Sequence, residues 1–275
     1  MDPSSHMPPS TLSAQTLTLE GPDAGAFAQA QFSSDVLALG VGQWQWSGWL
    51  DAQGRVRALL QLARLGDQRY LLLLRGGDAS SMVEGLRRFV FRSKVKIEAV
   101  AMRALVDGGA LDMHRVREHD GGIDLGMGAY SMTIAQGGTD GAQTWRAKNI
   151  ADGYAWLPAE ALDTLLAPAL SMERLQAVSF AKGCFPGQEI VARLRYRGGH
   201  KRHLHRVELS QPVAPGSALR IGEKDCGIVL DVVANDIGAR ALVVMSDEAA
   251  EQTSSAQIRV ADHVTHVRID ATFAA

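Results

Sequence analysis

The chain is poor in cysteine and lacks long apolar runs, and both absences narrow the class of protein. Only Cys184 and Cys226 occur in 275 residues, so no disulfide framework is expected and a reducing, cytoplasmic location is predicted. A membrane-spanning helix needs about 18 apolar residues, whereas the run from Tyr70 to Leu74 already ends at Arg75. No apolar stretch follows a basic start near the N-terminus, so no secretory signal is predicted.

An excess of charge of one sign is also absent. The 28 Lys and Arg residues face 30 Asp and Glu residues, which gives a formal net charge of -2. Proteins that coat nucleic acid are normally strongly basic, so direct, stable nucleic-acid binding is not expected. An iron-sulfur cluster usually takes four thiolates and a zinc site four N or S donors. With two cysteines and no complete histidine set, no stable metal site is expected.

The pattern of apolar residues divides the chain into four segments. Residues 1–14 are polar and rich in Pro and Ser, and are predicted to be disordered. Residues 15–97 combine a strand-helix unit, a hairpin and a further helix, and are predicted to form a first α+β domain. Residues 98–200 form a second, less clearly patterned α+β domain. Residues 201–275 contain short strands separated by turns, which is typical of a small antiparallel barrel or sandwich.

Several elements can be predicted individually. The turn Asp51–Gly54 joins two apolar runs and indicates a hairpin. A helix is predicted to begin at Asp78, with apolar residues at helical spacing through Phe89 and Val90. A short helix is predicted from Ala159 to Leu166.

The segment KGCFPGQE, residues 182–189, concentrates chemically active groups between two apolar runs. Loops held by rigid flanks often carry function. Cys184 is the candidate nucleophile, and Lys182 is the candidate cation that favours its thiolate. A free cysteine is also commonly an inert, buried apolar residue. Cys226 is interpreted as a structural residue of this kind.

The remaining members of the segment suit ligand binding. Gly183 and Gly187 allow close approach of the backbone to a ligand. Gln188 and Glu189 supply an amide and a carboxylate that can hydrogen bond to a heterocycle.

These residues carry a resemblance to a known family. The string Lys-Gly-Cys-aromatic-x-Gly-Gln-Glu, followed by Val191-Ala192-Arg193 and Arg197-Gly198, resembles the signature of the YgfZ family, folate-binding proteins related to the glycine-cleavage T-protein. Weaker matches extend the resemblance over residues 15 to 270. They comprise Gly21, Asp23, Ala24, Phe27, Gln31 and Asp35-Val36, then Leu50-Asp51 with Gln53-Gly54-Arg55, and Phe91-x-Ser93-Lys94-Val95.

The resemblance implies an α+β fold, a T-protein-like ring of two α+β regions plus a C-terminal antiparallel β-barrel. It places tetrahydrofolate or a derivative in the central hole. The family's motif lysine and cysteine match Lys182 and Cys184. A family tryptophan of the folate site matches Trp145, which precedes Lys148–Gly153 and is expected to stack on the pterin. A second family tryptophan, expected near Gln15, is absent.

The resemblance also implies a function. The family is associated with iron-sulfur enzymes, including those that thiomethylate transfer RNA, so this chain is expected to be an accessory protein for cluster assembly or repair. Its expected partners are iron-sulfur client or assembly proteins. The alternative is a folate-dependent one-carbon transferase. The T-protein has an acidic residue just after its hairpin turn, whereas Arg55–Leu59 contains no carboxylate, which argues against aminomethyl transfer. A cysteine enzyme that pairs Cys184 with His200 or His203 is a third hypothesis.

Three arginines follow the motif. Arg193, Arg195 and Arg197 alternate with Leu194 and Tyr196 and are predicted to project from one face of a strand. Such a face is either a basic rim for a folate tail, a phosphate or RNA, or an ordinary solvated strand face. Arg193 is therefore grouped with Trp145 and the motif residues as a candidate cofactor contact.

Overall fold

The computed structural model describes residues 13–135, 144–253, 258–260 and 263–275. These residues form an eight-stranded and a seven-stranded sheet in which every pairing is antiparallel. Most of the segment predicted to be disordered, residues 1–14, lies outside the described residues, but Ser13 and Ala14 begin the first strand.

The first sheet spans both predicted α+β domains. Its strand order is β2-β3-β4-β1-β5-β8-β7-β6, and β1 pairs with both β4 and β5. The predicted boundary between residues 97 and 98 falls inside β5, so one continuous sheet links the two regions. The strands are β1 (Ser13–Glu20), β2 (Gln43–Leu50), β3 (Val56–Gly66), β4 (Arg69–Leu74), β5 (Lys96–Gly108), β6 (Val116–His119), β7 (Gly122–Gly126) and β8 (Ser131–Ala135).

Both faces of the first sheet are buried, which explains the continuous leucine run of β4. Leu72 and Leu74 pack with α1 (Ala24–Gln31) and α2 (Ala79–Arg87), while Leu71 and Leu73 face the larger core between the two sheets. Strands that are covered on both sides are apolar throughout rather than at alternate positions.

The predicted hairpin and the helix after Asp78 are confirmed. Strands β2 and β3 pair across the Asp51–Gly54 turn. The Asp78 carboxylate accepts a hydrogen bond from the backbone N–H of Ser81 at 2.7 Å and caps α2. The helix ends at Arg87, so Phe89 lies beyond it and is 46% exposed rather than on the buried face.

The second sheet has the order β14-β13-β10-β11-β12-β9-β15. Among the described residues no hydrogen-bonded pairing joins its two edge strands, so closure into a barrel is not seen. Residues 258–269 contribute to three short strands, in agreement with the short strands predicted for residues 201–275. The strands are β9 (Arg202–Leu209), β10 (Ala218–Ile221), β11 (Lys224–Asn235), β12 (Gly238–Ser246), β13 (Ile258–Val260), β14 (His263–Thr265) and β15 (Val267–Phe273).

Two predictions for the region between the sheets were wrong. The helix predicted over Ala159–Leu166 is only a three-residue 3-10 turn, Ala159–Ala161. It stops there because Asp163 and Leu165 hydrogen bond to Val56 and hold the chain against the hairpin.

The strand predicted for Arg193–Arg197 is part of helix α4 (Gln188–Arg197). Val191 and Leu194 stand three residues apart and face the interior, a helical spacing that the alternation of arginines obscured. The other helical elements are α3 (Trp145–Asp152), α5 (Asp247–Gln252) and a second 3-10 turn, Ala167–Leu170. In the described ranges no helix has the length and apolar character needed to cross a membrane.

Candidate functional site

The motif loop, residues 182–189, packs directly on the β2–β3 hairpin turn. Gly187 and Gly54 both have positive φ, +79° and +76°. A Cβ atom at Gly187 would lie 2.5 Å from the carbonyl oxygen of Asp51 and 2.8 Å from Cα of Gly54. The close approach predicted for Gly187 is therefore made to the hairpin. Two separate sequence signals, the octapeptide and the Asp51–Gly54 turn, thus form one structural unit.

Lys182 fixes the start of the motif loop. Its ammonium donates to the backbone carbonyl oxygens of Gln29 at 2.5 Å, of Phe32, and of Ser34 at 2.9 Å. These carbonyls lie at and just beyond the C-terminal end of α1, where a cation is favoured. The side chain is buried, and burial lowers the pKa of Lys182 to about 8. Its observed partners are carbonyl oxygens, so its action on the Cys184 thiolate stays a prediction.

The two cysteines differ in the way the sequence suggested. Cys184 is exposed, whereas Cys226 is buried and its thiol lies 3.2 Å from the carbonyl oxygen of Leu219. Burial raises the pKa of the Cys226 thiol, which suits a structural role. Cys184 is thus the accessible thiol.

The other motif residues divide between solvent and interior. Gly183, Glu189 and Arg193 are exposed and Gln188 is half-buried, while the Phe185 side chain is buried against the core. The loop therefore presents its thiol and polar groups outward while Lys182, Phe185 and Gly187 hold it in place.

Trp145 occupies a different environment. It begins α3, and the Asp107 carboxylate of β5 accepts hydrogen bonds from the backbone N–H groups of Trp145 at 2.7 Å and Thr144 at 2.9 Å. Its ring is fully buried and lies 5.5 Å from the ring of Trp156. Stacking on a pterin therefore requires a face of this ring to become accessible.

Arg75 lies beside these rings and was missed by the sequence analysis, where it merely ended an apolar run. Its guanidinium is fully buried and lies over the rings of Trp46 and Trp156, at 5.4 and 4.7 Å from their centroids. It donates to the carbonyl oxygen of Tyr154 at 2.9 Å. With its amide oxygen facing Arg75, Asn149 accepts from both terminal nitrogens at 3.1 Å. Burial lowers the pKa of Arg75 to about 10, so the group is charged at neutral pH.

A buried ion pair joins α3 to the second sheet close to Arg75. Nη2 of Arg146 lies 2.5 Å from Oδ1 of Asp231 on β11. Burial raises the pKa of Asp231. Its second oxygen, Oδ2, and Nε of Arg146 are buried without a hydrogen-bond partner in the part of the chain that is described. We call Arg75, Trp145, Arg146, Asn149 and Asp231 the central cluster. Buried charges with unsatisfied atoms are characteristic of binding sites.

The histidines considered as partners for Cys184 lie elsewhere. His200 and His203 follow the C-terminal end of α4, whereas Cys184 precedes its N-terminal end, and a ten-residue helix is about 15 Å long. The structure therefore does not bring a Cys-His pair together at the motif loop. Among the described residues no group of three His, Cys, Asp or Glu side chains is arranged to hold a metal ion.

The fold as a whole is that of the glycine-cleavage T-protein. The structure of aminomethyltransferase T of the glycine cleavage system from Bartonella henselae superimposes with a TM-score of 0.66, covering 94% of this chain and 83% of that chain at 16% sequence identity. This similarity defines the class of fold.

Similar sequences occur among proteins named YgfZ. The tRNA-modifying protein YgfZ of Serratia proteamaculans is 25% identical, covering 90% of this chain and 92% of the relative. The tRNA-modifying protein YgfZ of Cronobacter sakazakii is 28% identical, covering 84% and 82%. No family model matches the chain. The motif, the fold and these relatives together support the resemblance to the YgfZ family, which is related to the T-protein.

Proposed function

We propose that this protein is a cytoplasmic, folate-binding accessory protein that supports iron-sulfur cluster assembly or repair. Through its client enzymes it would support the modification of transfer RNA, the activity named in its relatives. Its architecture would be the T-protein ring of two α+β regions, with the seven-stranded sheet closing as the barrel. The observation that carries the proposal is the exposed Cys184 thiol on a loop held by Lys182 and Gly187.

The central cluster supports folate as the ligand. A pterin ring carries amide and amino N–H donors as well as acceptors along one edge. The unpartnered Oδ2 of Asp231 is a buried acceptor, and the unpartnered Nε–H of Arg146 is a buried donor. Arg146 directly follows Trp145 in α3, and Asp231 on β11 pairs with Arg146. Trp145 is the residue that the family resemblance assigns to the pterin. Tetrahydrofolate would supply a one-carbon carrier or a regulatory ligand, while these residues would bind and orient its ring.

The exposed loop supports an accessory role. A thiol in a buried pocket serves a small substrate, whereas Cys184 faces solvent on a rigidly held loop and is accessible to another protein. Glu189 and Arg193, four residues apart on α4, are both exposed and would contribute polar contacts. An iron-sulfur client or assembly protein is the partner that this arrangement would serve.

Aminomethyl transfer, the alternative function, is disfavoured by the residues at the start of β3, the strand that follows the hairpin turn. Ala58 there is buried, and Arg57 lies over the ring of Trp49 at 4.1 Å and pairs with Asp163 at 3.3 Å. No carboxylate occurs between Arg55 and Leu59 to orient a folate amine. A one-carbon transferase would therefore have to use another acid or base.

The test is rescue of iron-sulfur enzyme activity in a bacterial strain that lacks its own YgfZ. We expect the unchanged protein to restore this activity and Cys184→Ala to abolish the rescue. Cys226→Ala is the matched control, because it removes the buried thiol and should leave rescue intact once protein levels are equalised. Full rescue by Cys184→Ala would refute the thiol role. Consumption of a methylene- or formyl-folate by the purified protein would instead favour the transferase.

A further inference from the structure

A cavity of about 380 Å³ lies at the C-terminal end of α4, between that helix, the Ala167–Leu170 turn and the start of β9. Small-molecule sites in proteins have volumes of roughly 300 to 1,000 Å³ and are mostly apolar. Most of the lining side chains here are apolar as well, namely those of Met172, Val178, Phe180, Val191 and Leu194. The cavity thus has the size and lining of a ligand site.

The two charged side chains that line the cavity, Arg195 and Glu173, pair with each other. Nη2 of Arg195 lies 3.1 Å from Oε1 of Glu173, and both side chains are partly exposed. The Arg195 guanidinium also lies 4.6 Å from the centroid of the Phe180 ring. Because the cation is already paired, the cavity favours an uncharged ligand, and the Phe180 ring favours one that is aromatic.

One polar group of the lining lacks a partner. Nε2 of His200 is buried and makes no hydrogen bond within the described chain. Burial lowers the pKa of His200, while a hydrogen bond to the backbone of Arg202 opposes this shift. The ring is therefore neutral at pH 7, and we assign its N–H to the nitrogen that faces the Arg202 backbone, which makes the unpartnered Nε2 the acceptor. His203 is satisfied differently, since its Nε2 lies 3.3 Å from Oδ1 of Asp247.

We propose that this cavity binds a small, uncharged aromatic heterocycle whose ring N–H donates to Nε2 of His200. The ring of the ligand packs on Phe180 and Leu194, and because Nε2 is buried, the half-buried imidazole turns on binding to bring Nε2 into the cavity. The site is about the length of α4 away from the motif loop, roughly 15 Å. It uses neither Cys184 nor the central cluster, so it is a second site beyond the proposed folate function.

The test compares two probes of the same shape. Indole carries a ring N–H, and benzofuran has an oxygen in its place. Methyl NMR of the full chain would follow Val178, Val191 and Leu194 during titration with each probe. We expect saturable shifts with indole and an affinity for benzofuran that is weaker by roughly fivefold, the effect of one lost hydrogen bond.

Variants locate the site and the acceptor. Leu194→Trp fills the cavity and should remove the saturable shifts for both probes. His200→Phe should bring the two affinities together, whereas His266→Phe, the same change at an exposed histidine, should leave the difference intact. The absence of saturable shifts with millimolar indole, or equal affinities for the two probes in the unchanged protein, would overturn the proposal. The comparison of indole with benzofuran uses the unchanged protein, so it remains a valid test even if a variant fails to fold.

Discussion

The motif loop and the central cluster carry two parts of the proposed function, and they are built on opposite principles. The loop is a contiguous octapeptide whose thiol is exposed and whose lysine has three carbonyl partners. The central cluster is assembled from Arg75, Arg146 and Asp231, which are far apart in sequence. Arg75 and Asp231 are buried, Arg146 is largely buried, and the cluster leaves polar atoms unpartnered. The loop is accessible to a protein partner, whereas the cluster offers buried, unpartnered polar atoms to a ligand inside the fold.

The two parts are expected to differ most in how much a substitution lowers the free energy of unfolding. Asp231→Ala would leave Arg146 as an uncompensated buried charge, which typically costs about 3 to 5 kcal/mol. Glu189→Ala, which removes an exposed carboxylate of the motif, should change the free energy of unfolding by less than about 0.5 kcal/mol. Urea unfolding of the two variants measures both values. Equal effects would mean that the ion pair is not buried as described.

A second prediction concerns the effect of acid on the stability of the fold. It depends on His205, which is buried and neutral, in contrast to the charged groups of the central cluster. Burial lowers the pKa of His205 to about 4, against about 6.5 in an unfolded chain. Between these values the unfolded state takes up a proton that the folded state does not, so stability falls as the pH drops from 6.5 to 4. The loss is on the order of 3 kcal/mol.

The variant His205→Asn can keep the hydrogen bond to Thr272 but does not titrate, so it should flatten this pH dependence. His266→Asn, at an exposed histidine, is the control and should retain it. The free energy of unfolding, measured at several pH values, tests this prediction. An unchanged pH dependence in His205→Asn would contradict the assignment of the effect to His205.

A third prediction separates the two glycines of the motif. Gly187→Ala meets both a positive φ and the carbonyl oxygen of Asp51, and should destabilise the fold by about 1 to 3 kcal/mol. Gly183→Ala adds a methyl group to open space and should have an effect of less than about 0.5 kcal/mol. Thermal and urea unfolding would compare them. Similar losses at both positions would mean that the loop does not dock on the hairpin as observed.

The smallest expected effect concerns Lys182. If its role is to hold the loop, Lys182→Met should lower stability but leave the alkylation rate of Cys184 at fixed pH within about twofold. A tenfold fall in that rate would show that the ammonium favours the thiolate. The measurement is iodoacetamide alkylation, with Cys226→Ala as the background to exclude the second thiol.

These contrasts also show what the sequence could predict. Helix α2 was predictable because a capping aspartate, Asp78, precedes apolar residues at helical spacing. Helix α4 was not predictable in this way, because the alternation of arginine and apolar side chains over residues 193–197 has the period of a strand and obscures the helical spacing of Val191 and Leu194. The burial expected of Cys226 is confirmed, whereas the reactive role of Cys184 stays a prediction.

The central cluster could not have been found in the same way. Arg75 ends an apolar strand and Asp231 interrupts another, and nothing local relates positions 75, 146 and 231. Their meeting depends on how the two sheets pack, which is information that short motifs do not contain. The resemblance pointed to Trp145, but its burial beside Trp156 became apparent only from the fold.

The most direct test of the account is a calorimetric titration of the full chain with tetrahydrofolate under anaerobic, reducing conditions. We predict a dissociation constant at or below about 100 μM, equivalent to roughly -5.5 kcal/mol. Asp231→Asn, which keeps the shape of the side chain, should weaken binding by at least about tenfold, whereas Cys184→Ala should leave it unchanged. No binding by the unchanged protein up to about 1 mM would contradict the folate role, and the motif loop would then stand alone as a surface for a protein partner.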